Sequence, residues 1–167
     1  MFIRVILGYN FVVKTKFMRA AIRLSLERMR RNDGGPFGAV VVRRGNIVGR
    51  GWNRVTSTND PTAHAEIMAI RDACRRLRTF RLDKCELYAS CEPCPMCLAA
   101  IYWSRIGKIF YANTRRDAAA IGFDDDSIYR EVAQPVSRRK IPMKQLLRKD
   151  ALKVFAEWKK KPDKIRY

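Results

Sequence analysis

Residues 91–103 read CEPCPMCLAAIYW. Cys94 and Cys97 are three positions apart, about one helical turn, which puts both thiols on one face. Pro93 and Pro95 flank Cys94, and proline is favoured in the first turn of a helix, so the pair belongs to a helix start. The amides and positive dipole end found there favour thiolate, the form that binds metal. The single histidine, His64, lies upstream in TAHAE (residues 62–66), two positions before Glu66. One imidazole and two thiols are the protein donors of a catalytic zinc site whose fourth position stays open. A CxxC can also be a redox pair or half of a structural four-cysteine site. No independent second CxxC exists, since Cys91–Cys94 shares Cys94, and a histidine with a carboxylate two residues on favours the catalytic ion. Glu66 is not stacked with His64 on one helical face, so it can reach a water at the ion without being a ligand. It would take a proton there and pass it to substrate and leaving group.

The 167 residues are enough for one domain with a sizeable core. Apolar residues make up 47% of the chain and are spread throughout, which excludes general disorder. No apolar run reaches the roughly 18–20 residues of a membrane span. The opening MFIRVILGYNFVV carries Arg4 and no small-residue cleavage site, so a signal peptide is not expected. Of the five cysteines two form the CxxC pair, and the spacing of Cys74, Cys85 and Cys91 suggests no disulfide framework, so reduced thiols and a cytoplasmic location are the expectation. The net charge of +19 is the compositional outlier and makes acidic partners or nucleic acid compatible with the chain. Nucleic acid is not favoured, because the basic runs lack a regular interleaving of aromatic stacking platforms.

Outward from the CxxC, residues 15–31 place Met18, Ala21, Ile22, Ser25 and Met29 at helical spacing, ended by Asp33-Gly34-Gly35-Pro36. FGAVVVRRGNIVGRGWN reads as a hairpin turning at Arg44–Asn46 and ending near Asn53. Thr56–Pro61 is a loop with Asp60 as N-cap of a helix over 62–78. A strand over 86–90, the CxxC helix to Ser104 and a strand over 108–112 follow, giving an α/β layer fold with a mixed sheet. Past Asp117–Ile121, a helical turn, GFDDDSIY is a polar loop, and Leu146, Leu147, Leu152, Phe155 and Trp158 carry helical spacing over 145–160. Three segments are expected: an N-terminal extension (1–13), a single domain (14–160) and a C-terminal tail (161–167).

HAE at 64–66 with PCxxC at 93–97 is the signature of zinc-dependent nucleobase deaminases. The chain resembles the cytidine deaminase-like superfamily. GGPFGAV, NDPTAHAEIMAIR, SCEPCPMCLAAIYWSR, IGFDDDSIY and the terminal tyrosine make it similar, within that superfamily, to the bacterial guanine deaminases, from about residue 17 to the end. The resemblance implies a three-layer α/β/α fold with a mixed sheet of about five strands. It implies His64, Cys94 and Cys97 as ligands of one Zn2+ per subunit and Glu66 as proton shuttle. Asp125 is implied as a second carboxylate that contacts the guanine and assists loss of the amino group. Phe37, Asn53, Ala65 and Trp103 are implied to form the base pocket, with Tyr167 closing it from the partner in a homodimer whose C-terminal segments are swapped. The tail over 161–167 then covers an active site. The implied reaction is hydrolytic deamination of guanine to xanthine and ammonia, with attack of water at C2. Guanosine or a related aminopurine or triazine, a tRNA adenosine, and a non-catalytic zinc module are the alternatives in decreasing order.

Overall fold

GAVVVR at 38–43 alternates its side chains between two buried surfaces, and that alternation organises the protein. The computed structural model describes the backbone of residues 2–166 and the side chains of residues 14–166. The chain runs α1 (Phe2–Arg30), β1 (Gly38–Arg43), β2 (Asn46–Trp52), a short α2 (Val55–Thr58), α3 (Ala65–Leu77) and β3 (Cys85–Cys91). It continues through α4 (Pro95–Trp103), β4 (Lys108–Asn113), α5 (Arg115–Ala120), α6 (Asp126–Ala133), a 3-10 turn (Val136–Arg138) and α7 (Arg148–Lys160). The four strands form one mixed sheet in the order β2-β1-β3-β4. β1 pairs antiparallel with β2 and β3, and β3 pairs parallel with β4 through the α4 crossover.

Successive strand residues face opposite sides. Ala39 and Val41 of β1, with Leu87 and Ala89 of β3, pack against Ala65, Ala69 and Ala73 of α3 and Ile101 of α4. Val40 and Val42 point the other way and meet Phe17 of α1 and Tyr88. Tyr88 stacks on Phe110 with ring centroids 4.7 Å apart and holds Phe17 at 5.4 Å. Helices on both faces of the sheet give the expected three layers. The hairpin closes through a two-residue turn in which Arg44 (φ 49°) and Gly45 (φ 75°) are both left-handed, the geometry that suits a twisted β-ribbon.

The sheet has four strands where about five were expected. After β4 the chain is diverted into α5 by a capping box, in which the Thr114 hydroxyl accepts from the Asp117 amide and the Asp117 carboxylate accepts from the Thr114 amide. The later stretch 139–147 carries no ladder, and Pro142 in its middle lacks a donor. Three further expectations change. Helix α1 extends back to Phe2, and its buried stripe is Phe17, Ala21 and Ser25, with Ile22 and Met29 left exposed. The helix expected from residue 62 begins at Ala65, because Asp60 spends its carboxylate on the Thr62 amide (2.8 Å) and hydroxyl (2.6 Å) in a local turn. GFDDDSIY ends in α6 instead of being loop throughout.

Tertiary contacts divide the chain into two compact units at Asp125/Asp126. The first holds the sheet, α1 to α5 and the whole CxxC region. Within the second, the Glu131 carboxylate accepts from the Lys140 amide (2.8 Å), and its helices bury no residue. No helix among the described residues is long and apolar enough to cross a membrane.

The closest helix–sheet approach depends on Gly51. A Cβ there would lie 2.1 Å from the Ala65 carbonyl oxygen and 2.3 Å from the Ala69 amide nitrogen, both rigid backbone. Gly51→Ala is therefore expected to destabilise the protein by about 1–3 kcal/mol through overpacking. Chemical denaturation measures it, and an unchanged midpoint would mean that α3 can move off the sheet freely.

Candidate active site

Two helix starts meet at the edge of the sheet where β2 and β3 end and β1 begins. His64 is the N-cap of α3 and Cys94 the N-cap of α4, each in extended conformation, and neither side chain caps its own helix. Pro95 opens α4 with its preset φ, leaving Cys97 at the third helical position. The side chains freed from capping duty converge instead. His64 Nδ1 lies 3.6 Å from Cys94 Sγ and 3.6 Å from Cys97 Sγ. The three donor atoms all fall within 4.8 Å of one another.

These spacings test whether zinc suits the site. With Zn–S of about 2.3 Å and Zn–N of about 2.0 Å, a tetrahedral ion holds its nitrogen and sulfur ligands roughly 3.5 Å apart. The observed 3.6 Å matches for both sulfurs, and the donor set is the N and S chemistry zinc prefers. His64, Cys94 and Cys97 therefore could hold one zinc ion, leaving a fourth direction open.

The surroundings are electrostatically tuned. Hydrogen bonds from Cys97 and His64 draw the Cys94 thiol down to about 4, so it is a thiolate at neutral pH. The Cys97 thiol is pushed up by the proton it shares with Cys94 and by burial. The His64 imidazole is raised by its bond to Cys94. Glu66 is buried in the first turn of α3, with Oε2 3.5 Å from Cys97 Sγ. Burial pushes its carboxyl up to about 6. Asp125 is raised by burial and then by the Cys94 charge, which puts a second carboxyl within electrostatic reach of the Cys94 sulfur. Four groups that can carry negative charge around one imidazole form a natural cation site.

A second cluster adjoins the first. Asn53, buried at the end of β2, accepts with Oδ1 from the amides of Gly35 and Val55, both at 3.3 Å. Those two donors set the orientation of the side-chain amide, so Nδ2 is turned outward as a donor. Its own backbone amide donates to the Phe37 carbonyl at 3.0 Å. Phe37 meets Phe123 edge to face, centroids 4.9 Å apart at 89°. Ala65 is buried as the first residue of α3, where the helix leaves its amide without an intrahelical partner. Trp103 is 65% exposed at the far end of α4, about 13 Å along the axis from Cys94. Tyr167 lies outside the described residues. Phe123 is the residue that sequence reasoning passed over. Its signal was an aromatic two positions before Asp125, in a segment read only for its acids.

Residues 12–113 match the family model of the cytidine and deoxycytidylate deaminase zinc-binding region. The chain is 49% identical over 151 residues to the guanine deaminase of Bacillus subtilis, covering 90% of this chain and 97% of that one. It superposes on the X-ray structure of that enzyme with a TM-score of 0.89, over 92% of this chain and 98% of the other, at 48% identity. The tRNA-specific adenosine deaminase of Aquifex aeolicus is 32% identical over 148 residues, 89% of this chain and 95% of its own length.

The Asn53 arrangement can be tested without substrate. Asn53→Ala strands two backbone N–H groups and is expected to cost about 1–3 kcal/mol. Asn53→Asp keeps the acceptor and should retain most of that stability. Urea denaturation compares the two, and equal losses would show that the side chain's acceptor is not what holds the 35–55 junction.

Proposed function

Because the chain belongs to the cytidine and deoxycytidylate deaminase family, we propose that its reaction is the hydrolytic deamination of guanine to xanthine and ammonia. The carrying observation is the convergence of His64 Nδ1, Cys94 Sγ and Cys97 Sγ at zinc-ligand spacing, with buried Glu66 beside them. His64, Cys94 and Cys97 would hold the zinc ion. Bound there, it supplies Lewis acidity that lowers the pKa of water at the open position.

The remaining work falls to side chains. A carboxyl poised near 6 both accepts and returns protons around neutral pH, which suits Glu66 to take the proton of the attacking water. It would deliver that proton to the ring nitrogen next to C2, so that the purine need not develop a full negative charge. Asp125, whose carboxyl is raised by burial and by the nearby thiolate, is the group we assign to the departing amino group. Water and guanine then yield xanthine and ammonia with protons balanced. Asn53 orients the base by donating Nδ2 to a ring acceptor, a role its fixed amide orientation supports. Phe37 supplies an apolar wall, and the Ala65 amide, at the positive end of α3, a further donor. Side chains on helices lean toward the N-terminus, so Trp103 is directed back along α4 and remains our candidate for the pocket rim.

Tyr167 is proposed to close the pocket from the partner subunit of a homodimer with swapped C-terminal segments, residues 161–167 forming the cover and residues 1–13 an extension to the 14–160 domain. Unburied apolar side chains support assembly: Tyr102 and Trp103 in the first unit, Leu146, Leu147 and Phe155 in the second. All five cysteines are free, which supports a cytoplasmic setting. The likeness to a tRNA-specific adenosine deaminase, with the +19 charge, makes a tRNA adenosine the second reading.

Ammonia release measured over guanine, guanosine, adenine, cytosine and tRNA decides the substrate. Guanine is expected to lead, and release from tRNA alone would overturn the assignment. Glu66→Gln should keep one zinc per chain by metal analysis while turnover falls by a factor on the order of 10²–10⁴. Loss of zinc instead would make Glu66 a ligand. Removal of Tyr167 should lower guanine turnover without changing the melting temperature, and sedimentation should give a dimer. Unchanged kinetics would take Tyr167 out of the site.

A further inference from the structure

We infer that Phe123 is a positioning residue of the purine pocket, a clip that holds the loop ending in Asp125 against the wall formed by Phe37 and Gly35. The inference rests on the pocket reading above and deepens it. Phe123 follows α5 on a tight return: its amide donates to the Ala118 carbonyl (3.0 Å) and the Gly122 amide to the Ala119 carbonyl (3.0 Å). Gly122 makes the turn at φ +92° with open space around it, a conformation other residues rarely adopt. The ring is thereby thrown back toward the start of β1, where it meets Phe37 edge to face at 4.9 Å.

Gly35 marks how closely the parts converge. A Cβ built there would sit 3.5 Å from Phe123 Cζ, 3.5 Å from Phe37 Cδ2 and 3.5 Å from Asn53 Cγ. One point thus borders the loop ring, the pocket wall and the residue assigned to read the purine. Two residues of chain reach at most about 7 Å, so a ring fixed at that junction confines where Asp125 can stand. Asp125 in turn senses the Cys94 charge. The ring adds little to the core, since Phe123 stays 46% exposed and belongs to neither core cluster. An edge-to-face pair also has a preferred geometry, which a merely greasy contact lacks. Phe123 therefore acts through two neighbours: it stiffens the Phe37 wall and sets the place of the Asp125 carboxylate.

The test uses the full zinc-loaded chain with guanine. Phe123→Ala should lower kcat/KM by roughly 10- to 100-fold, as small misplacements of reacting groups do, with kcat and KM both affected and zinc content unchanged. Phe123→Tyr keeps the ring edge and should restore most of the loss. In a double-mutant cycle the effects of Phe123→Ala and Asp125→Asn should be clearly less than additive, because one acts through the other. Hydrogen exchange should show faster exchange of residues 119–125 in Phe123→Ala and not in Phe123→Tyr. Unchanged exchange in Phe123→Ala, or losses that multiply fully in the double variant, would overturn the inference. If the wild-type chain releases no ammonia from guanine, the substrate reading fails by itself, and the exchange measurement still decides the clip.

Discussion

The constraint on which the structure turns is that two helices must start at the same point in space. His64 and Cys94 are both N-caps, and both decline the usual capping bond. That choice delivers an imidazole and a thiolate to positions 3.6 Å apart. Everything nearby serves the same juxtaposition. β1 and β3 are neighbours in the sheet, α3 is drawn onto β2 by the close approach at Gly51, and α4 springs directly from β3. A shift of either helix by one turn, about 5.4 Å, would take the donors outside any metal's reach.

Around that point the protein gathers negative charge against the ordinary preferences of burial. Glu66 and Asp125 are both raised by loss of solvent, and Cys97 is pushed up beside a thiolate. The two helix N-termini contribute partial positive charge, and a divalent cation held by His64, Cys94 and Cys97 would complete the balance. The arrangement explains why a carboxyl near 6 coexists with a thiol near 4 within a few ångströms. Each is set by its own partners: apolar walls for Glu66, hydrogen-bond donors for Cys94.

Much of this was legible in the residues. HAE and PCxxC have few other uses at that spacing, and the strands and the CxxC helix follow from alternation and proline placement. The errors share one cause, competition among local options that only a packed structure settles. Asp60 looked like a helix cap and instead caps a turn with Thr62. The α1 stripe was read as including Ile22 and Met29, yet the sheet accepts Phe17, Ala21 and Ser25. A fifth strand inferred by resemblance is absent among the described residues, where Thr114 turns the chain into α5 and Pro142 interrupts the later extended stretch.

The sequence by itself determined the chemistry: which atoms could bind a metal, which carboxylate could move a proton, and the layered α/β arrangement that carries them. Those properties reside in residue types and short spacings. The tertiary structure alone decided how the side chains around those atoms are arranged. It turned the Asn53 amide by giving its oxygen to Gly35 and Val55, set Phe123 against Phe37 across 86 residues of chain, and left Trp103 exposed at the far end of α4. Such contacts join segments distant in sequence, and their geometry depends on side-chain packing that no local pattern encodes.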